Sequence, residues 1–79
     1  SSKYEIERYS KEIIPDAKSS LELVTSGYEK GEFDYNRLLT AQRTYFQTNI
    51  AYLQAIQSWW TAKLEIDGLL LRGGLNSQP

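Results

Sequence analysis

The sequence predicts an all-α chain folded as an antiparallel two-helix hairpin with coiled-coil-like packing. Three observations predict it. Apolar residues keep helical spacing through most of the length. One stretch, Tyr28-Glu29-Lys30-Gly31-Glu32-Phe33-Asp34-Tyr35, carries the stop and start signals of a helix end. After it, large side chains recur at seven-residue intervals, as they do along a coiled coil. A connection this short forces the two helices to run antiparallel, and the stretch becomes the exposed tip of the hairpin.

Helix one is predicted over residues 3–30. Tyr4, Ile6, Tyr9, Ile13, Ile14, Ala17, Leu21, Val24 and Tyr28 follow helical spacing, and Glu7 and Lys11 are placed for an i,i+4 ion pair. Pro15 lies in the middle, without an N–H and with its ring against the carbonyl of Lys11. The helix must therefore kink there or restart with Pro15 in its first turn, and a kink is the expectation. Charges of both signs occupy the other face, as on a solvated helix surface.

The tip is assigned to residues 31–34. Gly31 can take the positive φ that closes a helix, and the Asp34 carboxylate can accept backbone N–H bonds from the first turn of the next one. Helix two is predicted over residues 34–71, about 55 Å at 1.5 Å per residue. Arg72 favours its C-terminus, Gly73-Gly74 stop it, and residues 72–79 form a tail that frays from Leu75 onward. A helix so long in a short chain belongs to a coiled coil or a wall rather than to a globular core.

Between Arg43 and Lys63 helix two has no charge, yet Thr44, Gln47, Thr48, Asn49, Gln54, Gln57, Ser58 and Thr61 make it too polar to span a bilayer. Three stripes share it: Leu39, Phe46, Leu53 and Trp60; Leu38, Tyr45, Tyr52, Trp59 and Ile66; and the small residues Ala41, Thr48, Ala55 and Ala62. Large residues fill one or two inter-helix interfaces, while the small stripe lets another backbone come close. Such a helix has neighbours on more than one side, in a wall of helices or in a four-helix bundle.

The totals of the 79-residue chain narrow the function. Two helices alone bury too little apolar surface to offset the chain entropy comfortably, so partners are expected. Without Cys or His there are no thiolate or imidazole ligands and no disulfides, which leaves only carboxylates for metal or acid–base work; no enzyme, metal site or cofactor is expected. Glu29, Glu32 and Asp34 gather at the tip, where carboxylates are ordinarily solvated charges or helix caps. A net charge of −1, a pI near 5.3 and the lack of any basic run argue against a nucleic-acid surface. The chain opens Ser1-Ser2 and contains no Met, so it reads as a piece of a longer protein, and it shows no signal-peptide pattern.

The run Tyr28-x-x-Gly31-x-x-Asp34, then Leu38-Leu39-x-Ala41-Gln42-Arg43, Ala51-Tyr52-Leu53-x-Ala55 and Ala62-Lys63-Leu64, resembles the C-terminal part of the outer membrane efflux proteins, the TolC family. The resemblance covers residues 13 to 74 and lies in the ordered combination, since no single dipeptide is specific. It implies a fragment of a trimeric α-helical barrel that projects through the periplasm from a β-barrel in the outer membrane, and this chain would be one antiparallel pair without the strands. The tip would lie at the periplasmic aperture and dock a periplasmic adaptor protein and, through it, an inner-membrane pump. By position, Tyr28, Gly31, Glu32, Phe33 and Asp34 become the docking and aperture tip. Leu39, Phe46, Leu53 and Trp60, with Ala41, Ala55 and Ala62, become the inter-helix packing set, and Gln42 and Arg43 fall in the matched first turns of the returning helix. The family implies a passive conduit with no catalytic site. Asp34 replaces the usual Ser or Thr and caps equally well. Phe33 replaces the polar or basic residue of some members, so no gating bond is carried over. The Trp59-Trp60 pair is assigned to inter-helix packing rather than to a membrane belt.

Two other readings stay open. One is a soluble hairpin module that self-associates into a four-helix bundle and binds a partner by helix-in-groove contacts. The other is the adaptor's own hairpin, whose tip pattern of Arg with Leu four residues later is absent here, since Ala41 follows Arg37 and Gln47 follows Arg43 at that spacing.

Overall fold

Two interruptions divide an otherwise continuous helical run, and together they decide the architecture. The computed structural model describes residues 2–76. Helix α1 spans Ser2–Arg8, a π-helical turn spans Tyr9–Ile13, α2 spans Ile14–Glu29, and α3 spans Tyr35–Asn76. No strand occurs among the described residues. α1, the π-turn and α2 form one arm, and α3 returns antiparallel along it.

The result is a ribbon of 73 × 19 × 12 Å with a radius of gyration of 20.1 Å. A globule of this length would have a radius near 12 Å, so the chain is a rod. The 12 Å dimension is about one helix diameter, which leaves both broad faces of the ribbon open. No described helix is long and apolar enough to cross a membrane.

Helical periodicity explains the seam. On α3, Leu38, Ala41, Tyr45, Thr48, Tyr52, Ala55 and Trp59 recur in alternating steps of three and four, and every one is buried or half-buried. On the facing arm Ile6, Tyr9, Ile13, Ile14, Ala17, Leu21 and Val24 are half-buried. Large and small residues alternate along the α3 seam, which brings the arms close enough for the Tyr9 and Tyr52 rings to meet at 6.4 Å between centroids. Leu38, at 8 % exposure, is the single buried hydrophobic residue described.

Pro15 follows a π-helical turn through which the backbone stays helical. α2 begins at Ile14 with Pro15 in its first turn, after a turn in which the Ile14 N–H donates to the carbonyl of Tyr9, five residues back. The wider loop of a π-turn accommodates the proline ring that follows it without being required by it. The i,i+4 ion pair that forms is Arg8 with Glu12, at 3.6 Å, one position beyond the expected Glu7 and Lys11. Both partners are exposed, so the pair contributes only tenths of a kcal/mol.

α3 also ends later than the sequence suggests, passing Leu71 and Gly73-Gly74 to reach Asn76. Glycine costs about 1 kcal/mol relative to alanine inside a helix but does not forbid helical backbone, so it ends a helix only where the fold calls for positive φ. The expected tail at residues 77–79 lies outside the described residues.

Candidate functional site

The tip is built from backbone bonds that the sequence around Gly31 makes available. Gly31 has φ 77°, the left-handed conformation that ends α2. The Gly31 N–H donates to the Tyr28 carbonyl at 3.0 Å, and the Glu32 N–H donates to the Gly27 carbonyl at 2.7 Å. This is the paired bonding of a Schellman motif, which satisfies carbonyls that the helix end would leave open. The Phe33 N–H also donates to the Gly27 carbonyl, at 3.3 Å. Three residues after Gly31 the next helix is capped: Asp34 Oδ1 accepts the Arg37 N–H at 2.9 Å, the N3 position of α3.

Two glycines serve the tip for opposite reasons. A Cβ at Gly31 would meet nothing within 4 Å, so the requirement there is purely conformational. Gly27 is buried, and a Cβ there would lie only 2.5 Å from Phe33 Cε2. The Phe33 ring thus occupies the place of a Gly27 side chain, and the Arg37 guanidinium closes over it with Cζ 4.4 Å from the ring centroid.

These contacts divide the five predicted tip residues by role. Gly31 and Asp34 shape the reversal, and Phe33 is half-buried against Gly27. Glu32 and Tyr28 remain exposed, Tyr28 with its ring 6.0 Å from that of Tyr35. The outermost surface is therefore Glu29, Lys30, Gly31 and Glu32, flanked by two tyrosines. Behind it lies a shallow groove lined by Val24, Asn36, Arg37, Thr40 and Ala41. Gly27 is the tip-shaping residue the sequence pattern does not single out. Its signal is a glycine inside a helix, which implies close approach by something else.

The predicted packing set separates into three groups. Ala41 and Ala55 lie in the seam, so the small stripe admits the hairpin's own first arm. Leu39 is half-buried beside the seam, whereas Phe46, Leu53 and Trp60 are 66 %, 59 % and 49 % exposed on the flank about 100° around α3. Ala62 is exposed as well. Trp59 is the seam member of its pair, with the Trp60 ring set edge-on to it at 4.9 Å.

The uncharged polar residues of α3 are partly self-satisfied. Thr40 and Thr48 hydroxyls donate to the carbonyls of Asn36 and Thr44, and the Asn49 amide donates to that of Tyr45. Polar side chains bonded to their own helix can enter an interface without an orphaned group. Among the described residues no group of three or more His, Cys, Asp or Glu is placed to hold a metal ion.

No family model matches the chain, and no solved structure matches it. A curated relative is the cobalt-zinc-cadmium resistance protein CzcC of Cupriavidus metallidurans, 38 % identical over 60 residues, which is 76 % of this chain. The matched stretch is 14 % of the relative's length. The chain is a distant homologue of part of that protein.

Proposed function

We propose that this hairpin is a periplasmic end piece of a TolC-like outer membrane efflux channel. In this reading it is a wall element that assembles with other helices of its parent protein, as a trimer. Its tip docks a periplasmic adaptor and, through it, an inner-membrane pump. The observation that carries the reading is the exposed row Phe46, Leu53 and Trp60 on a ribbon one helix thick, with a single buried hydrophobic residue among those described. Such a row on so thin a scaffold is stabilised by covering it, and a neighbouring helix pair does so along its whole length. The exposed Glu29–Glu32 crest, with Tyr28 and Tyr35 beside it, is the surface offered to the adaptor. Homology to a resistance protein supports the reading, and its name makes divalent transition-metal ions the first cargo to test.

The test is Leu53→Glu in the full-length parent. The exposed position leaves the seam intact, so the 79-residue chain keeps its helicity, while trimer yield in detergent extracts falls strongly because a charge enters the lateral interface. Parent trimers forming at the normal level would contradict the reading. If the isolated chain were then a stable dimer in sedimentation, dissociated by the same substitution, a self-associating four-helix bundle would take its place.

A further inference from the structure

The register of the first arm against α3 carries an inference that needs neither docking nor assembly. α3 presents one unbroken frame from Leu38 to Trp59, in alternating steps of three and four. The first arm does not. Ile14, Ala17, Leu21 and Val24 keep that alternation, and so do Ile6, Tyr9 and Ile13, but the two sets are one residue out of phase. Continuing the later set backwards along an α-helix reaches Ser10, Glu7 and Lys3. Continuing the earlier set forwards reaches Asp16 and Ser20. One residue is about 100° around an α-helix, enough to turn an apolar row away from its partner.

The two frames meet at Ile13 and Ile14, both half-buried, where the π-turn Tyr9–Ile13 gives way to α2. A π-turn holds one more residue than an α-turn, so it absorbs a one-residue excess without rotating what lies beyond it. We infer that the π-turn is a one-residue phase insertion holding both frames of the first arm on one face of α3, and that the seam rather than Pro15 keeps it in place. With it, Tyr9 meets Tyr52, and Ile6 joins Ile56, Trp59 and Trp60 around a mostly apolar groove that the exposed Lys3 and Glu7 also border. Without it, one half of the arm presents Lys3, Glu7 and Ser10, or the other presents Asp16 and Ser20, to an apolar seam, and unpartnered charge there is costly. Shifting the turn along the arm exchanges apolar for polar seam residues in either direction, so its position is pinned.

The experiment compares three variants of the 79-residue chain by thermal melting and by amide and aromatic nuclear magnetic resonance. In Pro15→Ala the Ile14 N–H remains bonded to the Tyr9 carbonyl, and the cross-peak between the Tyr9 and Tyr52 rings persists. Deleting Lys11 together with Pro15→Ala brings Ile6, Tyr9, Ile14 and Ala17 into one frame. That variant becomes α-helical through the former π-turn, keeps the tyrosine cross-peak and melts no lower than the parent. Inserting an alanine between Lys11 and Glu12 doubles the phase error, abolishes the cross-peak and lowers the melting temperature. The inference is overturned if Pro15→Ala alone converts the turn to α-helix with loss of the cross-peak, or if the deletion destabilises the chain as much as the insertion.

Discussion

The tip and the π-turn both interrupt a helix, yet they are held by different kinds of force. At the tip everything decisive is within eight residues: a glycine at φ 77°, two carbonyls recaptured by the Schellman bonds, and an aspartate cap. At the π-turn no side chain demands the conformation. What favours it is the match between residues on two arms, Ile6 and Tyr9 on one side and Tyr52, Ile56 and Trp59 on the other. Local chemistry makes the first interruption a reversal, whereas long-range register makes the second a small correction within a continuing arm. Substitutions at single residues should therefore act strongly at the tip and weakly at the π-turn.

The largest effect is expected from Gly31→Val. A β-branched residue at positive φ costs about 1–3 kcal/mol, and with one buried hydrophobic residue among those described that is enough to open the reversal. Far-UV dichroism and melting should both fall, and an unchanged melt would dissolve the contrast between the two interruptions. Asp34→Ala comes next: it removes the bond to the Arg37 N–H and should cost about 1 kcal/mol, with Asp34→Asn nearly neutral. Denaturant titration of the three proteins measures it.

Gly27→Ala is expected to change stability least, because alanine gains about 1 kcal/mol of helix propensity while displacing Phe33. The readout is local. Arg37 side-chain resonances lose the ring-current shift that the Phe33 face imposes at 4.4 Å. In the Phe33→Ala background the same Gly27→Ala change should be stabilising, since the clash is gone.

The sequence discloses the hairpin and its reversal because Gly31 and Asp34 act on their immediate neighbours, and such chemistry is written in order along the chain. Which large stripe faces the first arm is not written that way. Leu39, Phe46, Leu53 and Trp60 have the same spacing as Leu38, Tyr45, Tyr52 and Trp59, so periodicity cannot choose between them, and only the register of the opposite arm does. The same is true of Ala55, whose small side chain admits the hairpin's own first arm. Pro15 is the conspicuous residue of the first arm, but the informative one is the second of two adjacent isoleucines, Ile14, where the phase changes. Gly73-Gly74 resembles a stop, yet glycine also tolerates helical backbone, and α3 continues to Asn76. Gly27 is legible only together with Phe33, six residues away, whose ring fills the space a side chain would need.

Small-angle scattering from the 79-residue chain, taken through a dilution series to its monomeric limit, tests the central claim that the backbone doubles back at Gly31. The account predicts a radius of gyration near 20.1 Å and a longest dimension near 73 Å. A single rod of about 115 Å, or a globule with a radius near 12 Å, would contradict it.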